Sequence, residues 1–258
     1  MEISVIKIGG NVIDHEASLN TFLEKFAARE GKKILVHGGG KLATRLSARL
    51  DIPTKMIDGR RVTDEQTIEV VTMVYAGLVN KKITARLQSL GCNAIGLSGA
   101  DAGLIRAVKR SPEPVDFGLV GDLSPSSIDA PRLLDFLDSG LTPVFCSITA
   151  NQQGVLLNCN ADVIARSLAV ALSPTNTVKL IYCFEKKGLL ANVDDDNSVI
   201  PKISRANCEQ LKNAGVISGG MIPKIDSAFD AIAAGVSEVI IKSASDLDNS
   251  EGTVVSDF

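Results

Sequence analysis

The stretch Ile3-Ser4-Val5-Ile6-Lys7-Ile8-Gly9-Gly10-Asn11 decides how the rest of the chain is read. Its apolar residues are β-branched and do not alternate strictly with polar ones, the pattern of a strand covered on both faces. A lysine at the end of such a strand must be desolvated, and lysine is seldom buried without a partner. Two glycines follow at once and remove the side chains beside it. An ammonium group next to bare backbone N–H donors at a strand end suits an anion, although a lysine there can also snorkel to solvent.

Strands of the same kind recur at Lys33–His37, Cys92–Leu97, Thr142–Cys146, Thr177–Phe184 and Ser237–Lys242. Between them, Leu19, Phe22, Leu23 and Phe26 follow helical spacing up to a stop at Gly31. Thr63-Asp64-Glu65-Gln66 reads as a capping box ahead of a helix through Val74 and on toward Leu90. Asn160-Ala161-Asp162 opens a helix that ends near Leu172, and Pro223 marks the start of a last one. Strand–helix–strand alternation predicts an α/β fold with a parallel sheet, right-handed crossovers and helices on both faces. The middle differs: Leu104–Lys109, Ser111-Pro112-Glu113-Pro114 and Phe117–Gly121 read as a hairpin projecting from the sheet. The turn-rich Ser173-Pro174-Thr175-Asn176 is the best internal boundary and divides residues 1–173 from 174–258.

With a net charge of -3 and scattered cations, nucleic acid and anionic membranes are poor candidates for the main partner. The five cysteines (Cys92, Cys146, Cys159, Cys183, Cys208) include no CxxC pair and lie mostly in apolar surroundings, as buried thiols of a reducing compartment do. His15 and His37 are the two histidines, too few for a His-rich metal site, and no metal ligands are assigned. No apolar run approaches a membrane span and no signal region opens the chain, so a cytoplasmic location is expected.

Glycine clusters fall at three strand ends: Gly9-Gly10, Gly38-Gly39-Gly40, and Gly96 to Gly103. In open α/β sheets ligands bind beyond the carboxyl ends of the strands, so the clusters predict a shared phosphate or carboxylate site. There is no P-loop motif. Gly38-x-Gly40-x-x-Ala43 fits the dinucleotide fingerprint but sits in the second βα unit and lacks its later acidic partner, so it is set aside. Lys224, in Gly219-Gly220-Met221-Ile222-Pro223-Lys224, opposes a helix dipole, a cost that a bound anion would offset. Asn158-Cys159-Asn160-Ala161-Asp162 gathers two amides and a carboxylate around a helix start, where capping alone also explains Asn160 and Asp162. Gly59-Arg60-Arg61-Val62-Thr63 supplies guanidinium groups suited to a carboxylate, or a solvated loop. Cations, glycine N–H groups and one aspartate, without a histidine base, paired acids or an activated Ser or Cys, suit phosphoryl transfer to an acceptor that is already a nucleophile.

Taken in order, Lys7-Ile8-Gly9-Gly10-Asn11, Val36-His37-Gly38-Gly39-Gly40, Gly59-Arg60-Arg61-Val62-Thr63, Asn158-x-Asn160-x-Asp162 and Gly219-Gly220-Met221-x-Pro223-Lys224 resemble the amino-acid kinase family, and within it the N-acetylglutamate kinase group. The resemblance implies a three-layer αβα sandwich with a central, mainly parallel open sheet of the carbamate kinase-like type. It implies an N-terminal lobe (1–173) that binds the acylated glutamate and dimerises, and a C-terminal lobe (174–258) that binds ATP with its Mg²⁺. The reaction implied is phosphorylation of the γ-carboxylate of N-acetyl-L-glutamate, the second step of arginine biosynthesis. By the family pattern Lys7 and Lys224 stabilise the transferring phosphoryl group and Asp162 orients them. Gly39, Gly40, Arg61, Asn158 and Asn160 fall to the substrate. Lys7, Gly9, Gly10, Glu185, Gly188, Gly220, Met221 and Lys224 fall to the nucleotide.

Two departures stand out. Where relatives carry a Thr/Ser-Asp pair, this chain has Phe184-Glu185, the one feature that favours a non-catalytic nucleotide or amino-acid binding regulator on the same fold. Lys109, Arg106 and Arg110 on the hairpin offer cations that an N-succinyl-L-glutamate would use, which keeps that substrate as the alternative. The chain starts one residue before its first strand and lacks the N-terminal helix that the resemblance ties to hexamers and arginine inhibition. An arginine-insensitive homodimer is therefore expected.

Overall fold

The computed structural model describes residues 1–192 and 194–257. In chain order its strands are β1 (Glu2–Ile8), β2 (Lys32–His37), β3 (Met56–Ile57), β4 (Arg60–Arg61), β5 (Ala94–Leu97), β6 (Val108–Lys109) and β7 (Gly121–Asp122). They continue with β8 (Thr142–Phe145), β9 (Ile148–Ala150), β10 (Leu156–Asn158), β11 (Thr177–Phe184), β12 (Lys202–Ile203), β13 (Glu238–Ser243) and β14 (Thr253–Val255). The helices are α1 (Gly10–Asp14), α2 (Glu16–Ala28), α3 (Gly40–Arg49), α4 (Glu65–Thr72), α5 (Asn80–Ser89), α6 (Ala130–Asp138), α7 (Ala161–Leu172), α8 (Arg205–Asn213) and α9 (Ile222–Ala233).

The strand that carries Lys7 lies near the middle of an eight-stranded sheet of order β12-β14-β13-β11-β1-β2-β8-β5. β1 pairs in parallel with β11 on one side and β2 on the other, and among the described residues of this sheet only the β13–β14 pairing is antiparallel. Helices cover both faces, as the alternation predicts. Ile3 and Val5 join a core cluster completed by Ile164 and Leu168 of α7, while Ile6 and Ile8 join the opposite cluster with Phe22 and Phe26 of α2. Strand side chains alternate between faces. Lys7 therefore shares the face of Ile3 and Val5 and is delivered to the α7 side.

The expected boundary at Ser173–Asn176 connects α7 to β11, and β11 pairs with β1 over its first seven residues, so one sheet runs through both halves of the chain. The expected hairpin forms: Val108 pairs with Asp122 and Lys109 with Gly121.

The predicted capping box is corrected in detail. Asp64, not Thr63, is the N-cap of α4, its carboxylate accepting from Thr67 N at 2.8 Å. Those Thr67 bonds hold the Asp64 carboxyl below its usual range. Thr63 is instead fully buried, and its hydroxyl accepts from Asn158 Nδ2 at 3.1 Å. The helix does run on toward Leu90, but through a π-helical stretch at Met73–Val79 before α5. Such insertions cluster at functional sites, and this one sets Tyr75 beside a glycine loop described below.

His37 ends β2 fully buried. Lys81 donates to Asn80 Oδ1 at 3.2 Å and fixes the amide, whose nitrogen faces Val144 O at 2.8 Å and His37 Nε2 at 3.1 Å. Nε2 must then accept, so Nδ1 carries the proton and donates to Gly38 O at 2.8 Å. Burial pushes His37 down to about 4. The unfolded chain, at roughly 6.5, binds more protons over that window. Stability is thus expected to fall by up to about 3 kcal/mol as pH drops from about 6.5 to 4. Denaturant midpoints at pH 7 and 4.5 for the native chain and His37→Gln measure it; equal acid sensitivity in both would remove His37 as the cause.

Candidate functional site

Two clefts open beyond the carboxyl ends of β1, β2 and β11, where the glycine clusters were expected to converge. The first, of about 410 Å³, is lined by Lys7, Gly10, Gly38, Gly39, Gly40, Arg61 and Asn158, among others. The second, of about 630 Å³, lies between the starts of α7 and α9 and is lined by Arg166, Tyr182, Phe184 and Lys224, among others. Asp162, Asn160, Gly59 and Arg60 line both.

Asp162 sits in the first turn of α7, where the dipole favours a carboxylate. Its Oδ1 lies 2.7 Å from Lys7 Nζ, the partner that a 92 %-buried lysine requires. Asn160 caps the same helix, its Oδ1 accepting from Asp162 N at 2.7 Å. Lys224, in the first turn of α9, is half-buried. Burial lowers its pKa, Asp162 opposes that shift, and the nearby charge of Lys7 adds to it. The two lysines, more than 200 residues apart in sequence, meet the ring of Phe184: Lys224 Nζ is 4.2 Å and Lys7 Nζ 5.0 Å from its centroid. Tyr182 stacks on Phe184 at 6.3 Å between centroids. Its hydroxyl points to Asp162 O at 3.4 Å, and burial with the Asp162 charge drives its pKa up.

On the other side of the first cleft, Arg61 is buried, donating from one amino group to Gly40 O at 3.0 Å and Thr44 Oγ1 at 2.8 Å. The guanidinium is thereby aimed along the start of α3. Gly40 and Gly10 have open space where a Cβ would stand, whereas a Cβ on Gly39 would lie 2.9 Å from Tyr75 Cδ1. Asn11, whose part the sequence leaves open, accepts from Lys41 Nζ and so ties the first glycine loop to the second.

Not every expected residue meets the clefts. The Gly9 N–H donates to Cys183 O at 3.0 Å, which extends the strand pairing and removes it as a free donor. Gly188 is buried against Thr253, and a Cβ there would be 2.7 Å from Thr253 Oγ1. Gly220 belongs to the short helical turn Gly219–Met221, and Met221 packs on the core. Glu185 is exposed and reaches the site through its charge, which raises the Lys224 pKa. The third glycine cluster is absent from the two clefts. A Cβ on Gly99 would meet Ile105 Cβ at 2.7 Å, and one on Gly96 would meet Thr84 Oγ1 at 2.5 Å. These glycines answer to packing.

Sequence reasoning passed over Tyr75, Phe117, Ser147 and Cys159, which line the first cleft. One signal was available: the chain has two tyrosines, and both line the clefts.

The strand ends of this open αβα sheet carry two adjoining clefts that share Asp162, the first lined by Lys7, Arg60, Arg61 and Arg110 and the second by Arg166 and Lys224 beside Asp58, Asp226 and Asp230. This defines an α/β protein with paired lysines placed to meet an anionic group between the clefts. Residues 2–243 match the amino acid kinase family, and the chain belongs to that family. It is 52% identical over 252 residues to the acetylglutamate kinase of Bacteroides thetaiotaomicron, covering 98% of this chain and 97% of that one. It superposes on the solved structure of smu.665 from Streptococcus mutans UA159 with a TM-score of 0.77 at 29% identity, over 99% of both chains. Carbamate kinase from Giardia lamblia, solved bound to AMP-PNP, shares the fold with a TM-score of 0.68 at 15% identity, over 98% of this chain and 97% of that one.

Proposed function

We propose that this protein transfers the γ-phosphoryl group of ATP to the γ-carboxylate of N-acetyl-L-glutamate, giving N-acetylglutamyl 5-phosphate and ADP in arginine biosynthesis. The meeting of Lys7, Asp162 and Lys224 where two clefts join is the observation that carries this reading. The acylglutamate occupies the first cleft, its carboxylate facing Arg61 and Asn158, and ATP approaches from the second. A carboxylate oxygen attacks the γ-phosphorus in line as the bond to the β,γ-bridging oxygen breaks. The carboxylate is already deprotonated, so no general base is needed. Lys7 and Lys224 offset the charge spreading over the phosphoryl oxygens, and Asp162, 2.7 Å from Lys7 Nζ, keeps that ammonium oriented. Among the described residues no three His, Cys, Asp or Glu side chains converge; Mg²⁺ then rides on the nucleotide phosphates, its common mode. Residues 1–173 act as the acylglutamate lobe and 174–258 as the nucleotide lobe.

Acetyl is preferred over succinyl because, among the described residues, the hairpin cations that a second carboxylate would use are engaged by Asp122 or lie outside the first cleft. Arg110 lines that cleft, but its Nε faces Asp122 Oδ1 and Oδ2 at 3.0 and 3.1 Å. Arg106 lines a separate cavity, and Lys109 lies outside the residues of the first. The test is ADP release from ATP and Mg²⁺ with N-acetylglutamate, N-succinylglutamate, aspartate, glutamate, carbamate and UMP in parallel. Turnover with N-acetylglutamate is expected, and turnover confined to any other acceptor would overturn the assignment.

The protein acts as a homodimer in the cytoplasm on this reading. Its free, buried thiols suit a reducing compartment. Met73 and Leu78, 52% and 47% exposed on the π-helical stretch, offer an apolar surface for a second copy. Light scattering is expected to give a dimer mass for the native chain and a monomer mass for Leu78→Glu. A native monomer or hexamer would refute this.

A further inference from the structure

The mechanism leaves Phe184 without a role, although it lies at the centre of the site. It stands where two like charges converge. Lys7 has the Asp162 carboxylate at 2.7 Å, whereas no carboxylate lies within ion-pair distance of Lys224 Nζ among the described residues. That ammonium instead stands over the Phe184 ring, 4.2 Å from its centroid, and Lys7 Nζ is 5.0 Å from the same centroid. An ammonium within about 6 Å of an aromatic centroid is attracted to the ring quadrupole, and the attraction grows when the cation is desolvated.

The ring is itself fixed. Phe184 is the last residue of β11, in register with Ser243 of β13, and Tyr182 stacks on it with planes 20° apart. Gly9 lies beside the ring: a Cβ there would stand in ordinary contact with Phe184 Cδ1, at 3.5 Å. The backbone beneath the ring is held in place as well, since Gly9 N donates to Cys183 O at 3.0 Å.

We infer that Phe184 is a positioning residue that holds the ammonium groups of Lys7 and Lys224 together through its π face. This rests on the kinase reading of the two lysines. A ring does this differently from a carboxylate or a hydroxyl. It lowers the cost of bringing two cations together without neutralising either, so both keep their full charge for an incoming phosphoryl group. It also makes no competing hydrogen bond that the phosphate would have to displace. An aspartate placed against Lys224 would compete with the ligand. The ring does not.

The experiment replaces Phe184 with 4-fluoro-, 3,5-difluoro- and 3,4,5-trifluorophenylalanine, which drain the ring quadrupole stepwise at nearly constant shape. The first readout is the titration of the Lys224 side chain in the unliganded protein, followed by NMR of ¹³Cε-labelled lysine. Each fluorine is expected to move that titration to lower pH, with the melting temperature unchanged. The second readout is kcat with saturating ATP and acylglutamate. It is expected to fall progressively, reaching roughly 3- to 30-fold for the trifluoro ring or for Phe184→Leu, while Phe184→Tyr retains most activity. Lys224 titrations that coincide across the fluorinated series would overturn the inference, whatever the activities. If Lys224→Met instead keeps normal kcat, the kinase role of that lysine fails while the titration series still decides whether the ring holds it.

Discussion

Alanine at Lys7 or Lys224 is expected to lower kcat by at least ~100-fold, the scale for removing one electrostatic partner of a transition state. The basis is their common position: each ammonium stands at the junction of the clefts, and each is partly or largely stripped of water. In such surroundings a charge interacts more strongly with the phosphoryl oxygens than it would in solvent. The two substitutions differ in their side effects. Removing Lys7 also leaves Asp162 without its 2.7 Å partner, whereas removing Lys224 breaks no ion pair among the described residues. Asp162 is one-third exposed, so solvent absorbs part of that cost. Lys7→Met keeps the volume inside β1 and separates charge from packing. Steady-state rates with saturating ATP and N-acetylglutamate, beside melting temperatures, check both positions. A near-normal kcat in a folded Lys7→Met or Lys224→Met variant would end the assigned role.

Much of this site is legible from sequence because the demands are local. β1 must be apolar on both faces, so a lysine at its sixth residue stands out, and the period of two assigns it a side. Asp162 and Asn160 follow from the chemistry of a helix start. The long-range partners are harder. That Phe184 would lie under both lysines depends on β11 adding beside β1, and nothing in Tyr182-Cys183-Phe184-Glu185 announces that pairing. Tyr75 reaches the second glycine loop through a π-helical stretch that reads as ordinary helix. Glycine itself is ambiguous. Gly10 and Gly40 are open toward the first cleft, while Gly96 and Gly99 are glycines because Asn80, Thr84, Ile105 and Thr149 fill the space a Cβ would need. The residue type records that a side chain is forbidden, but not whether a ligand or the protein forbids it.

Gly118 gives that distinction a measurable form. It has φ +73° on the returning side of the projecting hairpin, and a Cβ there would run into the Thr63 carbonyl, 2.9 Å from its carbon. The neighbouring backbone cannot yield cheaply. Thr63 N donates to Phe117 O at 2.9 Å and Leu119 N donates to Thr63 O at 2.6 Å, bracketing Gly118. The left-handed conformation costs an L-residue about 1–2 kcal/mol, and overpacking adds about 1–3 kcal/mol. Gly118→Ala is therefore expected to destabilise the fold by about 2–5 kcal/mol. Gly154 provides the control: it has φ +79° but nothing within 4 Å of its Cβ position, so Gly154→Ala should cost only the conformational part. The functional consequence follows from what Thr63 holds. Its hydroxyl accepts from Asn158, and Phe117 and Asn158 both line the first cleft. A displaced hairpin should raise KM for the acylglutamate well before it alters KM for ATP, whose proposed cleft lies on the far side of Asp162. Urea unfolding of both variants, with the two KM values measured separately, decides the point. Equal stability losses at Gly118 and Gly154, or parallel rises in both KM values, would show that the contact with Thr63 does not control the cleft.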